Sequence, residues 1–433
     1  MADGERLFEY RRDHRAGEGG VTVLTGAEVF VEGHLQKLDI AIEDGKICAL
    51  GRDLEGDERL DCSGKLVLPG VIDVHVHARD LRQSHKEDWG SLARAALAGG
   101  VTTVFAMPNT EPPLDTIERV RDYRRRAQAS QINATIYGAI TSENYKDLDR
   151  LTPHVAAFKL YLGETTGQLI VRDKKLHREI FKSVTQTEKI LTVHAQRGGD
   201  PADVTRHEAD DICYVLDLAA AYETKLHIAH VTTQRGVEAI LEAKKSKIDV
   251  SFETCPHYLY FTAKDRESRG AWLKMNPPLA SEEDREFLWW ALNEGLIDMI
   301  ATDHAPHTIE EKSVGYERAP AGVPGVEFLL PLLFDAVNAD KLSLRRFVEV
   351  CCGTPARRFG LPKGEIAVGR DADLVVIDPD RKKTITRKDV QSKCGWSPYE
   401  GLTLRGWPVM AFVRGIRRNP PCAALADGRW SSL

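Results

Sequence analysis

The chain has 433 residues, enough for a large core with a smaller domain beside it. Its 42% apolar and 29% charged residues are ordinary for a globular protein, and a formal net charge of −6 argues against a general binder of nucleic acid or anionic membrane. No run of about 18 apolar residues is present to span a bilayer. Met1 to Gly20 is polar and mixed in charge, so it reads as a frayed tail and not as a signal peptide. Cysteines stand at 48, 62, 213, 255, 351, 352, 394 and 422 with no Cys-x-x-Cys pair, the pattern of buried thiols in a reducing cytoplasm.

Residues 21–69 read as all-β. Val21-Thr-Val-Leu-Thr25, Val29-Phe-Val31, Leu38-Asp-Ile-Ala-Ile42 and Lys46-Ile-Cys-Ala-Leu50 are short apolar or β-branched runs separated by glycines. Asp44-Gly45 suits a hairpin turn. From 70 to 363 the pattern alternates between short apolar runs and helix-like stretches. The expected strands are Val71–His77, Thr102–Met107, Ala134–Ile140, Ala156–Tyr161, Ile190–His194, Lys225–His230, Ile248–Glu253 and Asp298–Asp303. Helical spacing runs over Asp88–Leu97 and over Ser281–Asn293, which opens with a Ser-x-x-Asp capping box. Arg124-Arg125-Arg126 reads as a solvated helix face. Eight strands alternating with helices predict an α/β fold, a TIM (β/α)8 barrel. Over 364–433 the β pattern returns, in Gly364–Val368, Asp373–Asp378 and Pro408–Val413. The economical arrangement joins 21–69 and 364–433 into one small β-sandwich.

His75-Val76-His77 ends the first barrel run, and residues two apart in a strand face the same way. Barrel active sites lie at the C-terminal ends of strands, where this pair sits. The same rule selects Lys159 in an apolar fourth strand, His194 ending the fifth, His230 ending the sixth and Asp303 ending the eighth. Four histidines and a carboxylate at strand ends suit zinc with an open position for water. His14, His34, His177 and His207 lack such placement and read as surface or structural residues.

These residues carry a resemblance that covers nearly the whole chain. Its motifs are Pro69-Gly-Val-Ile-Asp-Val-His-Val-His-Ala-Arg79, His85-Lys-Glu-Asp-Trp89, Ala98-Gly-Gly-Val-Thr-Thr103, Met107-Pro-Asn-Thr110, Lys274-Met-Asn-Pro-Pro278, Asp303-His-Ala-Pro-His307, Gly369-Arg-Asp-Ala-Asp-Leu374 and Cys394-Gly-Trp-Ser-Pro398. The chain resembles the amidohydrolase superfamily and, within it, the dihydroorotase family of the long bacterial and archaeal type. His-x-His with Asp-His-Ala-Pro-His points to cyclic-amide hydrolases; His-x-His-x-Arg with Met-Pro-Asn-Thr points more narrowly to dihydroorotases.

The resemblance implies a zinc-dependent, reversible ring closure of N-carbamoyl-L-aspartate to L-dihydroorotate, a step of pyrimidine synthesis. It assigns His75, His77 and Asp303 to one zinc, His194 and His230 to a second, and Lys159, as N6-carboxylysine formed with CO2, to the bridge between them. Asp303 would also be general base and then general acid. Arg79, Asn109 and His307 are expected on the substrate carboxylate, and Asn276 with the backbone of Ala321 and Gly322 on the ring. The parity of Arg79 with His75 and His77 agrees with this, because arginine binds carboxylates bidentately. Thr308–Pro324, rich in charge, Gly and Pro, reads as a mobile loop over the substrate. Allantoinases and hydantoinases share the metal motifs without needing the carboxylate clamp. A non-catalytic scaffold is disfavoured by the full ligand set. A homodimer is common in the family, and a complex with aspartate carbamoyltransferase is the other expected assembly. The chain departs from many relatives at Asp80-Leu-Arg-Gln-Ser84, where they carry an acidic residue before Pro-Gly, and at Ala195-Gln196, where they carry a nearby acid.

Overall fold

A computed structural model of the chain describes residues 20–163, 169–197 and 204–418. The N-terminal tail reading and Cys422 lie outside them. Seven strands come first: β1 (Thr22–Thr25), β2 (Glu28–Val31), β3 (His34–Lys37), β4 (Asp39–Glu43), β5 (Lys46–Gly51), β6 (Glu58–Asp61) and β7 (Leu66–Pro69). Asp44 and Gly45 both have positive φ in the turn between β4 and β5, as a two-residue hairpin of this kind requires.

Eight parallel strands follow: β8 (Val71–Val76), β9 (Val101–Ala106), β10 (Asn133–Ala139), β11 (Ala157–Tyr161), β12 (Leu191–His194), β13 (Leu226–Ile228), β14 (Val250–Thr254) and β15 (Met299–Ile300), adjacent in chain order. All eight lie within or against the runs expected from sequence. Their residues are buried almost throughout, which is why they read as continuous apolar runs and not as alternating ones. The ring closes between its last and first strands. Asp73 on β8 accepts from the Thr302 N–H at 3.0 Å and the Thr302 hydroxyl at 2.5 Å, and the His77 N–H donates to the His304 carbonyl at 2.8 Å.

The intervening helices are α1 (Trp89–Ala98), α2 (Ile117–Gln128), α3 (Lys174–Gln186), α4 (Val204–Tyr222), α5 (Gln234–Lys245), α6 (Pro256–Tyr260), α7 (Ala263–Arg269) and α8 (Glu282–Asn293). Ser281 caps α8 in a capping box with Asp284, as its sequence predicts, and Asp88 caps α1 with Ser91. The arginine run lies on α2, where Arg125 and Arg126 pair with Asp122 on the solvent side. Among the described residues, no helix is long and apolar enough to cross a membrane.

The chain then returns to the first segment through β16 (Leu374–Thr384), β17 (Thr403–Val413) and β18 (Ile416–Arg418). Two sheets result, β5-β4-β1-β6 and β18-β17-β16-β7-β2-β3. Val29, Ile40, Ile42, Ile47, Leu374, Val376 and Phe412 form the core between them. The two β flanks therefore share one small sandwich, as expected. One expected strand is corrected: Gly364–Val368 is not a strand. Gly364 and Gly369 bound it with φ of 88° and 87°, and the Arg370 N–H closes a turn onto the Ala367 carbonyl. Its apolar residue Ile366 is buried as a turn contact against the sandwich core.

Candidate metal centre and active-site cavity

The C-terminal ends of the barrel strands surround a cavity of about 380 Å3. His75, His77, Arg79, Asn109, Tyr161, His194, His230, Lys274, Asn276, Asp303 and the segment from Ala319 to Gly322 line it. Among the described residues, His75, His230 and Asp303 offer ligand atoms that lie within 4.8 Å of one another. Asp303 Oδ1 stands 3.2 Å from His75 Nε2 and 3.0 Å from His77 Nε2. On the opposite side, His194 Nδ1 and His230 Nε2 are 2.8 Å apart. The sequence therefore selected one contiguous cluster from strands far apart in the chain.

The partners of the outer ring nitrogens explain why the inner ones converge. His75 Nδ1 meets Glu253 Oε1 at 2.5 Å, and His77 Nδ1 meets Asn109 Oδ1 at 2.6 Å. Each contact is made by an Nδ1–H donor, which leaves the Nε2 lone pair directed at the centre. Burial pushes the imidazoles of His77 and His194 down to about 4 and about 3 and holds His230 well below 6.5, so these rings are neutral and their lone pairs are available. Burial pushes Asp303 up, but His75 and His77 more than offset it and keep the carboxylate ionised.

Lys159 projects from β11 with no exposure, and its Nζ has no hydrogen-bond partner. Burial lowers its ammonium to about 8, against 10.5 for an ordinary lysine. His230 and Asp303 hold φ of 41° and 44°, a left-handed backbone that non-glycine residues adopt at a cost of about 1 kcal/mol or more each. Both turn sharply out of their strands, which aims the side chains inward.

Arg79 begins a run of three left-handed residues, Arg79, Asp80 and Leu81, with φ between 50° and 56°. This turn carries the guanidinium onto the cavity wall, where Nε donates to the Pro306 carbonyl at 3.3 Å and Nη2 lies 3.2 Å from His307 Nε2. Nη1 is buried without a partner. His307, expected on the substrate carboxylate, lies against two residues of the cavity wall, Arg79 and Ala321. Its Nε2 is 3.0 Å from the Ala321 carbonyl and its Nδ1 is 3.2 Å from Lys86 Nζ. Asn276, Ala321 and Gly322, expected on the substrate ring, line the cavity. The stretch expected to close over substrate contributes Ala319–Gly322 to the cavity lining and contains a short helix, α9 (Ile309–Lys312).

Sequence reasoning missed Glu253, at the inward end of β14. Its second oxygen takes a bond from His227 Nε2 at 3.1 Å, and His227 Nδ1 is 2.8 Å from Ser251 Oγ. The available signal was a lone carboxylate with the parity of Ser251 in the strand Val-Ser-Phe-Glu-Thr. Tyr161 was missed too; its hydroxyl is buried on the cavity wall with no partner. So were Lys274, Lys312 and the pair Lys86–Glu311, whose charged atoms are 2.8 Å apart.

A barrel with a histidine and carboxylate cluster at its strand ends defines a metal-dependent hydrolase. In agreement, residues 66–417 match the amidohydrolase family, and the chain belongs to it. Within that family it falls among the dihydroorotases, hydrolases of cyclic-amide C–N bonds. It is 38% identical over 397 residues to the dihydroorotase of Halobacterium salinarum, covering 87% of this chain and 92% of that one. It is 36% identical over 408 residues to the dihydroorotase of Bacillus cereus, covering 89% and 94%. Among solved structures, the L-hydantoinase of Arthrobacter aurescens superposes with a TM-score of 0.87 at 29% identity, covering 92% of this chain and 95% of that one.

Proposed function

We propose that this chain interconverts N-carbamoyl-L-aspartate and L-dihydroorotate, using two zinc ions held by His75, His77, His194, His230, Asp303 and a carboxylated Lys159. The observation that carries the substrate is Arg79, a buried guanidinium on the cavity wall with Nη1 unpartnered. Dihydroorotate has a ring carboxylate to receive it, and hydantoin and dihydrouracil have none. Burial lowers the arginine only to about 10, so it remains a cation at neutral pH.

The donor set fits zinc. It combines neutral imidazoles, an ionised carboxylate and a buried lysine amine without a partner. The neutral Lys159 amine attacks CO2 at carbon and loses a proton to solvent, giving an anionic carbamate that balances dications. Zinc held by these residues would supply Lewis-acid polarisation of a carbonyl and a more acidic water. Asp303 accepts the proton of the attacking water and delivers it to the departing ring nitrogen. Arg79 fixes the ring by its carboxylate, with Asn109 beside it and Asn276 and the 321–322 backbone against the ring. His307, beside Arg79, donates from Nε2–H to the Ala321 carbonyl and holds it in place.

The test is hydrolysis of L-dihydroorotate, dihydrouracil and hydantoin by purified protein reconstituted with zinc and bicarbonate. Preferential turnover of dihydroorotate, lost on chelation, is expected. Preference for either uncharged ring overturns the substrate and returns Arg79 to a structural role.

A further inference from the structure

Lys312 ends α9 and is 1% exposed. Its Nζ donates to three backbone carbonyls, Lys274 at 3.2 Å, Pro320 at 3.0 Å and Gly322 at 2.9 Å. Three N–H bonds meet three acceptors, so the ammonium is fully used. The indole of Trp396 lies 5.6 Å from Nζ, and its Nε1–H donates to the His307 carbonyl at 2.7 Å. The C-terminal segment therefore braces both Lys312 and the chain leading into α9.

The three carbonyls belong to residues that line the cavity, while Lys312 lies behind them. A trans peptide points its N–H opposite to its C=O. With the Pro320 carbonyl held toward Lys312, the Ala321 N–H is turned away from it. Pro320 has no N–H, and the Gly322 N–H is taken by the Lys274 carbonyl at 2.9 Å. The Ala321 carbonyl is taken by His307 at 3.0 Å. Among the described residues no backbone bond takes the Ala321 N–H, which leaves it for a ligand.

We propose that Lys312 is a positioning residue for substrate binding: by holding the carbonyls of Lys274, Pro320 and Gly322 outward it presents the Ala321 N–H to a carbonyl of the cyclic-amide ring. This rests on the cyclic-amide reading above and assigns its backbone contact a cause. Burial, with Lys274 nearby, lowers the Lys312 ammonium to about 7, opposed by Glu311 on its own helix. The other groups facing it are the neutral His307 and the Trp396 ring.

The experiment compares wild type, Lys312→Met and Lys312→Gln as full-length, zinc-reconstituted protein, measuring KM, kcat and bound zinc at pH 6.5. Lys312→Met raises KM about tenfold, the loss of one hydrogen bond, with kcat within about threefold and zinc content unchanged. Lys312→Gln, which keeps two donors and folds more readily, raises KM by less. A KM equal to wild type in whichever variant folds overturns the proposal, as does a loss confined to kcat or zinc. Wild-type preference for dihydrouracil defeats only the substrate reading. KM for that ring then decides Lys312, because both rings carry the acceptor carbonyl.

Discussion

Glu253 Oε1 lies 2.5 Å from His75 Nδ1, and neither side chain reaches solvent. Burial pushes this carboxyl up, but His75 and His227 outweigh burial and hold it far below the ordinary range, as an acceptor. The contact fixes which nitrogen of His75 carries its proton, and so which one faces the metal position. Carboxylates in this position typically change metal affinity 10- to 100-fold. Glu253→Gln should therefore bind zinc about tenfold or more weakly, measured by competition with a chromophoric chelator, with far-UV circular dichroism unchanged. Wild-type affinity in the variant would show that His75 needs no such partner.

Arg79 yields a prediction about substrate choice. Removing one member of a buried, hydrogen-bonded charge pair costs roughly 2–5 kcal/mol. Arg79→Met should raise KM for L-dihydroorotate by about 100-fold or more. KM for dihydrouracil, which offers no carboxylate, should move by less than about threefold. Equal effects on both substrates would count against a carboxylate clamp.

The candidate metal cluster was legible because its histidines and Asp303 sit at or just past strand ends, and a strand's parity is a local property. His75 and His77 needed only the period of two; His194, His230 and Asp303 needed only the end of an apolar run. Glu253 also closes an expected run, so the same rule reached it, but its role was missed because that role comes from His75, 178 positions away. Lys312 was hidden for a related reason, since its acceptors are backbone carbonyls that no side-chain motif encodes. His307 was expected on the substrate carboxylate; that its ring reaches Arg79 and the Ala321 carbonyl depends on tertiary packing that no local motif encodes. The failed strand at Gly364–Val368 had apolar residues in it, and its flanking left-handed glycines decided the outcome.

Lys159 gives a prediction about CO2. Only the neutral amine reacts, and a pKa near 8 instead of 10.5 makes that form abundant at physiological pH. In metal-free protein at fixed dissolved CO2, carbamate at Lys159 should therefore increase as pH rises from about 6.5 to 8.5. Carbon-13 NMR with labelled bicarbonate would register it as a single carbamate resonance. Lys159→Met removes that signal and lowers the zinc content. A wild-type spectrum with no pH-dependent carbamate would overturn the bridge.

The last prediction concerns acid stability of the metal-free protein. Burial sets His77 and His257 at about 4, His194 and His307 at about 3, and His230 well below 6.5. Between about pH 4.5 and 6.5 the unfolded chain binds protons on these rings that the folded chain does not. Stability from this source therefore rises with pH across that window. Asp73 and Glu208 at about 7 and Glu327 at about 8, raised by burial, act in the opposite direction. Their contribution is complete below the unfolded carboxyl pKa and declines as pH rises through their folded values. Five imidazoles outweigh three carboxyls below pH 6.5, so Tm should climb from pH 4.5 to 6.5. His257 offers the cleanest check, because both its ring nitrogens are buried without partners. Replacing it with Asn should flatten the climb by one proton. An unchanged slope would mean that His257 titrates normally and that its ring reaches water.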